Sequence, residues 1–256
     1  MFKIKQLLIR SVLFLLCYAM AITVSIAANN TSNHGNADHN SDLSTAGSSY
    51  LVEFLKAAKT YQADFWQIGE ASAGRLECAY GRLLLKQPGQ LLWQVKNIDC
   101  QQVQALKAPT DQQWDQVILT KQQSVKIYQP LLEQVIERSL GSLDDAVPVK
   151  LLTGASLQAL AGFDVREQSK SDDQSQLFIL SPKNKQSLVS KIEIAFKNKE
   201  LQQMTVLTPL GQSTKLQFFN IKTNQILPSS LFELKLPKGI DVIKQGYVRV
   251  KVRAGW

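Results

Sequence analysis

The stretch from Gly81 to Lys96 reads GRLLLKQPGQLLWQVK and decides how the rest of the chain is read. Two apolar-rich runs flank Pro88-Gly89, a turn dipeptide, so the spacing predicts a β-hairpin. With the turn centred near Gly89, Leu85 faces Trp93, Leu83 faces Val95 and Gln87 faces Leu91. Side chains alternate along a strand, which puts Leu83, Leu85, Leu91, Trp93 and Val95 on one face. Arg82, Lys86, Gln94 and Lys96 occupy the other face, with Leu84 and Leu92 as apolar exceptions. One greasy face and one wet face describe an antiparallel sheet that covers something apolar. The same register sets Cys78 opposite Cys100. Directly opposed strand residues have Cα atoms about 4.5–5.5 Å apart, a spacing a disulfide accepts. The pair is therefore expected to be bridged in an oxidising compartment.

Working outward toward the start of the chain, Met1 to Ala28 reads as a secretory signal peptide. Lys3, Lys5 and Arg10 form a basic start, Ser11 to Ile26 is mostly apolar, and Ser25-Ile26-Ala27 is a small-x-small cleavage site. The apolar run is short for a spanning helix, which needs about 20 apolar residues. Cys17 follows Leu16, where a lipid-attachment site wants a small residue, so it is read as part of the discarded segment. Removing the three basic residues takes the formal net charge from +8 to +5. The remaining basic residues are scattered rather than clustered, which fits a solvated surface better than a nucleic-acid footprint.

Residues 29–49, NNTSNHGNADHNSDLSTAGSS, have almost no apolar content and are expected as a disordered polar linker. Both histidines of the chain, His34 and His39, lie there and read as polar filler, with no metal site expected. The folded domain is expected over 50–256. Ser48 and Ser49 are N-cap candidates for an amphipathic helix over about 50–60, carrying Tyr50, Leu51, Phe54, Leu55 and Ala58 at helical spacing. A first strand over Tyr61–Gln67 precedes the hairpin. Gln116–Thr120 and Ser124–Gln129 flank a second turn, Pro130 breaks the run, and Leu131–Ile136 resumes it. Two short helices are expected at 148–153 and 155–161. Strands follow at 163–166, 175–181, 188–196, 200–208, 214–221 and 231–236. The tail Tyr247-Val-Arg-Val-Lys-Val-Arg alternates apolar and basic and reads as a charged edge strand.

The chain carries little for catalysis. With no histidine outside the linker, a Ser-His-Asp or Cys-His arrangement is unavailable to the domain. No Gly-rich phosphate loop, zinc-ligand spacing or nucleotide fingerprint occurs, and no cofactor is implied. About ten strands with one apolar face, plus short apolar helices, describe a mainly β, half-open antiparallel barrel with a helical lid. Its apolar concave face either fills as a plain core or leaves room for a ligand.

The order of motifs resembles the LolA family of outer-membrane lipoprotein carriers. Gly81, Leu83, Lys86, Pro88 and Trp93, then Tyr128, Pro130 and Gln134, match its Gly-x-Leu-x-x-Lys-x-Pro…Trp and Tyr-x-Pro-x-x-x-Gln patterns. Tyr61-Gln-Ala-Asp-Phe65-Trp-Gln67 is similar to its aromatic-x-Ala-x-Phe-x-Gln segment. Val117-Ile118-Leu119-Thr120 is similar to its next strand, and Pro148 to Leu160 to its lid. Leu177 to Lys183 resembles the strand that follows, and Phe232 with Leu236 to Val242 its closing Phe-x-x-x-x-Pro-x-Gly-Val-x-Val. The resemblance spans roughly residues 50–243.

That resemblance implies a monomeric periplasmic chaperone of a Gram-negative bacterium, without enzymatic activity. It would shield the acyl chains of lipoproteins, accept them from an inner-membrane ABC transporter (LolCDE-like) and pass them to an outer-membrane receptor (LolB-like). The alternatives are a LolA-like periplasmic binder of another lipid or hydrophobic ligand, or a lipoprotein sensor. The pocket expected is Leu55, Phe65, Leu83, Leu85, Trp93 and Val95, and the lid Leu151, Leu152, Leu157 and Leu160. Leu91, near the hairpin tip, is the expected docking contact for a partner. Where well-known members carry an arginine that helps hold the lid, this chain has Gln87, and a lid-facing histidine of some members falls near Gln202. Neutral bonds from Gln87 would latch the lid more weakly than a charged group.

Overall fold

The structure is a computed structural model that describes residues 38–70, 74–106, 108–110, 113–140, 147–153, 160–169 and 175–244. Helix α1 spans Asp38–Ala57, followed by strands β1 (Thr60–Glu70), β2 (Leu76–Lys86) and β3 (Gln90–Ile98). The short helix α2 (Cys100–Gln104) leads to β4 (Gln116–Lys121), β5 (Ser124–Gln129) and β6 (Gln134–Ser139). Helix α3 (Val147–Thr153) precedes β7 (Phe163–Ser169), β8 (Ser175–Pro182), β9 (Lys191–Lys197), β10 (Glu200–Leu207), β11 (Ser213–Thr223) and β12 (Asp241–Lys244). All twelve strands form one sheet in the order β12-β6-β5-β4-β3-β2-β1-β11-β10-β9-β8-β7. Every pairing is antiparallel except β12 with β6. β12 and β7 are the two edges, so the sheet is open.

Period-two alternation gives the sheet two unequal faces. On the inner face, Tyr61, Ala63 and Phe65 of β1 join Leu83 and Leu85 of β2 and Leu91, Trp93 and Val95 of β3. Ile118, Val125 and Ile127 extend this layer toward one edge, and Phe218, Met204, Ile194 and Phe178 toward the other. Leu51, Val52 and Leu55 of α1 and Val149, Leu151 and Leu152 of α3 belong to the same cluster, so both helices cover this face.

Two glycines permit close approaches. Gly81 is paired with Phe65 across β1 and β2, and a Cβ there would collide with the Phe65 ring. A Cβ on Gly47 would lie 2.6 Å from the Val165 carbonyl oxygen, so only glycine lets α1 lie directly on β7.

The hairpin forms, but its register differs by two residues from the expected one. Leu85 pairs with Leu91, Leu83 with Trp93, and Gly81 with Val95. The closing pair is Lys86 and Gln90, so the loop is Gln87-Pro88-Gly89, centred on Pro88, with Gly89 at φ +71°. A shift of two keeps every side chain on its expected face. The disulfide between Cys78 and Cys100 is present, with Cα atoms 5.1 Å apart. It arises differently from the expectation, because Cys78 pairs with Ile98 and Cys100 lies past the strand as the first residue of α2. Asp99 starts that helix by accepting a hydrogen bond from the Gln101 amide at 2.9 Å.

Two further differences concern segment boundaries. Residues 38–49, expected as linker, form the first part of α1, which ends at Ala57. Of residues 231–236, expected as a strand, Leu231 and Phe232 complete a 3-10 turn over Ser229–Phe232 and 233–236 form no strand. There Phe232, with Leu227, packs onto Leu84, Leu92, Val117 and Leu119 of the outer face. The two apolar exceptions of the wet face are thus the floor of a second, smaller core. The expected signal peptide, the second lid helix apart from Leu160 and Ala161, and the basic tail lie outside the described residues.

Candidate functional site

Phe65 lies at the centre of the inner face and is fully buried. Its ring meets Trp93 edge-on at 5.2 Å and Phe218 at 6.0 Å between centroids. Such T-shaped contacts fix ring orientation as well as burying area. Tyr61 adds its ring edge-on to Phe218 at 6.1 Å, and its hydroxyl donates to the Leu201 carbonyl at 2.7 Å. Burial, and secondarily the charge of Glu200, push the Tyr61 phenol far above its ordinary range, so it stays neutral.

All six residues expected in the pocket are buried in this one cluster: Leu55 from α1, Phe65, and Leu83, Leu85, Trp93 and Val95 of the hairpin. Leu151, Leu152 and Leu160 from the lid segment are buried against them, while Leu157 lies outside the described residues. The sequence reading missed Tyr61, Val149 and Phe218 as members of the layer. The alternation of Leu216 and Phe218 along β11 is the signal that would have found Phe218.

The hairpin tip joins both helices. The Gln87 amide donates to the Lys59 carbonyl at 2.9 Å, and Gln87 Nε2 donates to the Leu55 carbonyl at 2.6 Å. The Gly89 amide donates to the Thr153 carbonyl at 3.2 Å. Gln87 therefore fastens the end of α1 and the residues just past it, and the hairpin's tie to α3 is the backbone bond from Gly89. Among the described residues, the Gln87 side-chain amide bonds an open carbonyl in the last turn of α1. The expectation for Leu91 is corrected. It is fully buried, because the two-residue shift sets it opposite Leu85 inside the core rather than at an exposed tip.

The outer face near the disulfide is aromatic. Trp66 stacks on Phe219 at 5.3 Å and Tyr80 on Trp114 at 6.0 Å, with Val103 of α2 in the same cluster. Arg82 Nε meets Asp64 Oδ1 at 3.0 Å, and Asn220 Nδ2 donates to Asp64 Oδ2 at 3.0 Å. Among the described residues, no three His, Cys, Asp or Glu side chains are grouped so as to hold a metal ion.

An open antiparallel sheet with one continuous apolar face, two helices laid over it and a hairpin tip bonded to both defines a half-barrel with a helical cover. The sequence profile described as "Outer membrane lipoprotein carrier protein LolA" matches residues 56–235, and the chain belongs to this family. It is similar to proteins named outer-membrane lipoprotein carrier protein from several bacteria. That of Chromohalobacter salexigens is 30% identical over 203 residues, covering 79% of this chain and 89% of the relative. That of Hahella chejuensis is 31% identical over 201 residues, covering 78% and 89%. That of Azotobacter vinelandii is 30% identical over 196 residues, covering 76% and 86%.

Proposed function

We propose that this protein is a periplasmic chaperone that hides the acyl chains of lipoproteins while they cross the aqueous space between two membranes. The observation that carries the reading is that α1, α3 and the sheet share one apolar layer, while the hairpin tip holds each helix by one hydrogen bond and Lys59, just past α1, by another. Neutral hydrogen bonds contribute only about 0.5–1.5 kcal/mol each. Uncovering Val149, Leu151 and Leu152 of α3 costs about 1.5–3 kcal/mol per side chain. An acyl chain with some fifteen methylenes gains about 12 kcal/mol on leaving water, at ~0.8 kcal/mol per methylene. One chain therefore more than offsets displacement of α3, and a cover held mainly by apolar contact can trade its own side chains for those of the cargo.

The cargo would be received from an inner-membrane lipoprotein-releasing ABC transporter (LolCDE-like) and delivered to an outer-membrane receptor (LolB-like). Residues 1–28 would direct export and be removed, leaving a domain that acts as a monomer. Pocket and lid are assigned to the residues named above, without Leu91 as a surface contact. The test is to mix the mature chain with a detergent-solubilised triacylated lipoprotein, remove the detergent and assay the soluble fraction. A carrier keeps the lipoprotein in solution at equimolar ratio. Sedimentation of the lipoprotein, equal to that in a control without the chain, rejects the reading.

A further inference from the structure

Among the described residues, three buried side-chain atoms on the inner face have no partner, Gln67 Oε1, Thr120 Oγ1 and Gln176 Oε1, and of these only Thr120 carries a hydroxyl. Thr120 is fully buried, and its Oγ1 makes no hydrogen bond. Thr120 pairs with Leu91 on one side and Val125 on the other, and both belong to the inner-face core. Cross-strand partners share a face, so the hydroxyl is directed into the apolar layer. A row Tyr61, Leu85, Leu91, Thr120, Val125 crosses five strands in register at the hairpin-tip end of the sheet. The other buried hydroxyls nearby are used: Tyr61 donates to the Leu201 carbonyl, and Thr153 of α3 to the Val149 carbonyl at 2.7 Å. Thr120 alone of these three carries an unmet donor, and a buried unmet polar group is destabilising unless something else requires it.

We propose that Thr120 is the polar contact for the linkage at the head of an acyl chain, its hydroxyl donating to an ester or amide carbonyl of the cargo. The proposal rests on the carrier reading and adds an orientation to it. Its cross-strand neighbours Leu91 and Val125 are apolar, so the site suits a neutral acceptor, whereas a charged headgroup would meet a large burial penalty there. Thr120 lies level with Leu91, one strand from the hairpin whose Gly89 holds Thr153 of α3. The head of the chain therefore sits under the end of α3, and its hydrocarbon runs from there along Trp93 and Phe65. A single neutral bond adjusts position without holding the cargo tightly, which suits a protein that must release it.

The experiment compares two probes on the full mature chain: a neutral naphthylamine dye, which has no carbonyl, and a triacylated cysteinyl lipopeptide, which has ester and amide carbonyls. Thr120→Val keeps the branched shape and removes the hydroxyl, and Thr120→Ser keeps the hydroxyl. Thr120→Val is expected to weaken lipopeptide binding about three- to tenfold, the worth of one neutral hydrogen bond, with dye binding unchanged and Tm raised. Thr120→Ser is expected to retain the parental ratio of the two affinities. Equal effects of Thr120→Val on both probes, or none on either, overturn the assignment of Thr120 while leaving the carrier reading in place. Refusal of the lipopeptide by the unaltered chain overturns both, and that failure is visible before any variant is made.

Discussion

Leu152 and Leu83 are both leucines with almost no exposure, at 2% and 0%, yet they sit on opposite sides of the same apolar layer. Leu152 belongs to α3 and Leu83 to the middle of β2. Truncating a buried leucine to alanine costs about 2–5 kcal/mol in a packed core. If α3 is a cover that lifts, the cost of Leu152→Ala falls on the covered state alone. Taking the lower figure, about 2 kcal/mol, the balance between covered and uncovered forms shifts by about thirtyfold. Affinity for a neutral apolar dye should rise by up to that factor, saturating once the uncovered form predominates. Leu83→Ala damages the sheet in both forms. It should lower Tm by roughly 2–4 °C per kcal/mol, without a comparable gain in dye affinity. The assay is dye titration and thermal unfolding of both variants beside the parent chain. Equal gains in dye affinity, or a loss for Leu152→Ala, would refute the reasoning that α3 is a separable cover.

Other expectations follow from single contacts. Gly81→Ala places a methyl group into the Phe65 ring and should destabilise by about 1–3 kcal/mol, read from denaturant unfolding; an unchanged midpoint would show that the ring shifts freely. Replacing Cys78 and Cys100 together by serine opens a link spanning 22 residues and should cost about 3 kcal/mol. Dye affinity should be unchanged, because the bridge lies on the outer face; a large change would connect α2 to the site. Tyr61 titrates far higher folded than unfolded because it is buried. Its stabilisation is complete below the unfolded phenol value of about 10 and is lost as pH rises beyond it. Tyr61→Phe should therefore flatten the alkaline fall in stability, while costing about 1–3 kcal/mol at neutral pH from the unpaired Leu201 carbonyl. An alkaline slope identical to the parent's would reject that assignment.

The faces of the sheet were legible in the sequence because face assignment depends only on parity. Leu83, Leu85, Trp93 and Val95 are buried together although the register moved by two. The register itself was not legible, since Pro88-Gly89 announces a turn without stating how many residues it contains. That misreading also placed Leu91 at an exposed tip and brought Cys78 and Cys100 together by the wrong geometry. The bridge forms because α2 folds back over β2. The start of α1 was hidden by composition: Gly47 and Ser48 read as linker, but they are buried where α1 crosses β7. Phe232 alternates like a strand residue, yet it plugs an outer-face cluster that only the tertiary structure reveals. Thr120 ends the strand motif Val117-Ile118-Leu119-Thr120, and nothing in its neighbours announces that its hydroxyl ends without a partner.

The most direct measurement is native mass spectrometry of the full chain expressed in a Gram-negative periplasm and purified without detergent. A one-to-one complex with a triacylated lipoprotein, lost when the acyl chains are removed enzymatically, is the result predicted here. A chain that arrives with free lipid alone, or empty, and then declines a triacylated lipoprotein offered to it, would contradict the carrier reading and point to a different hydrophobic ligand for the same apolar face.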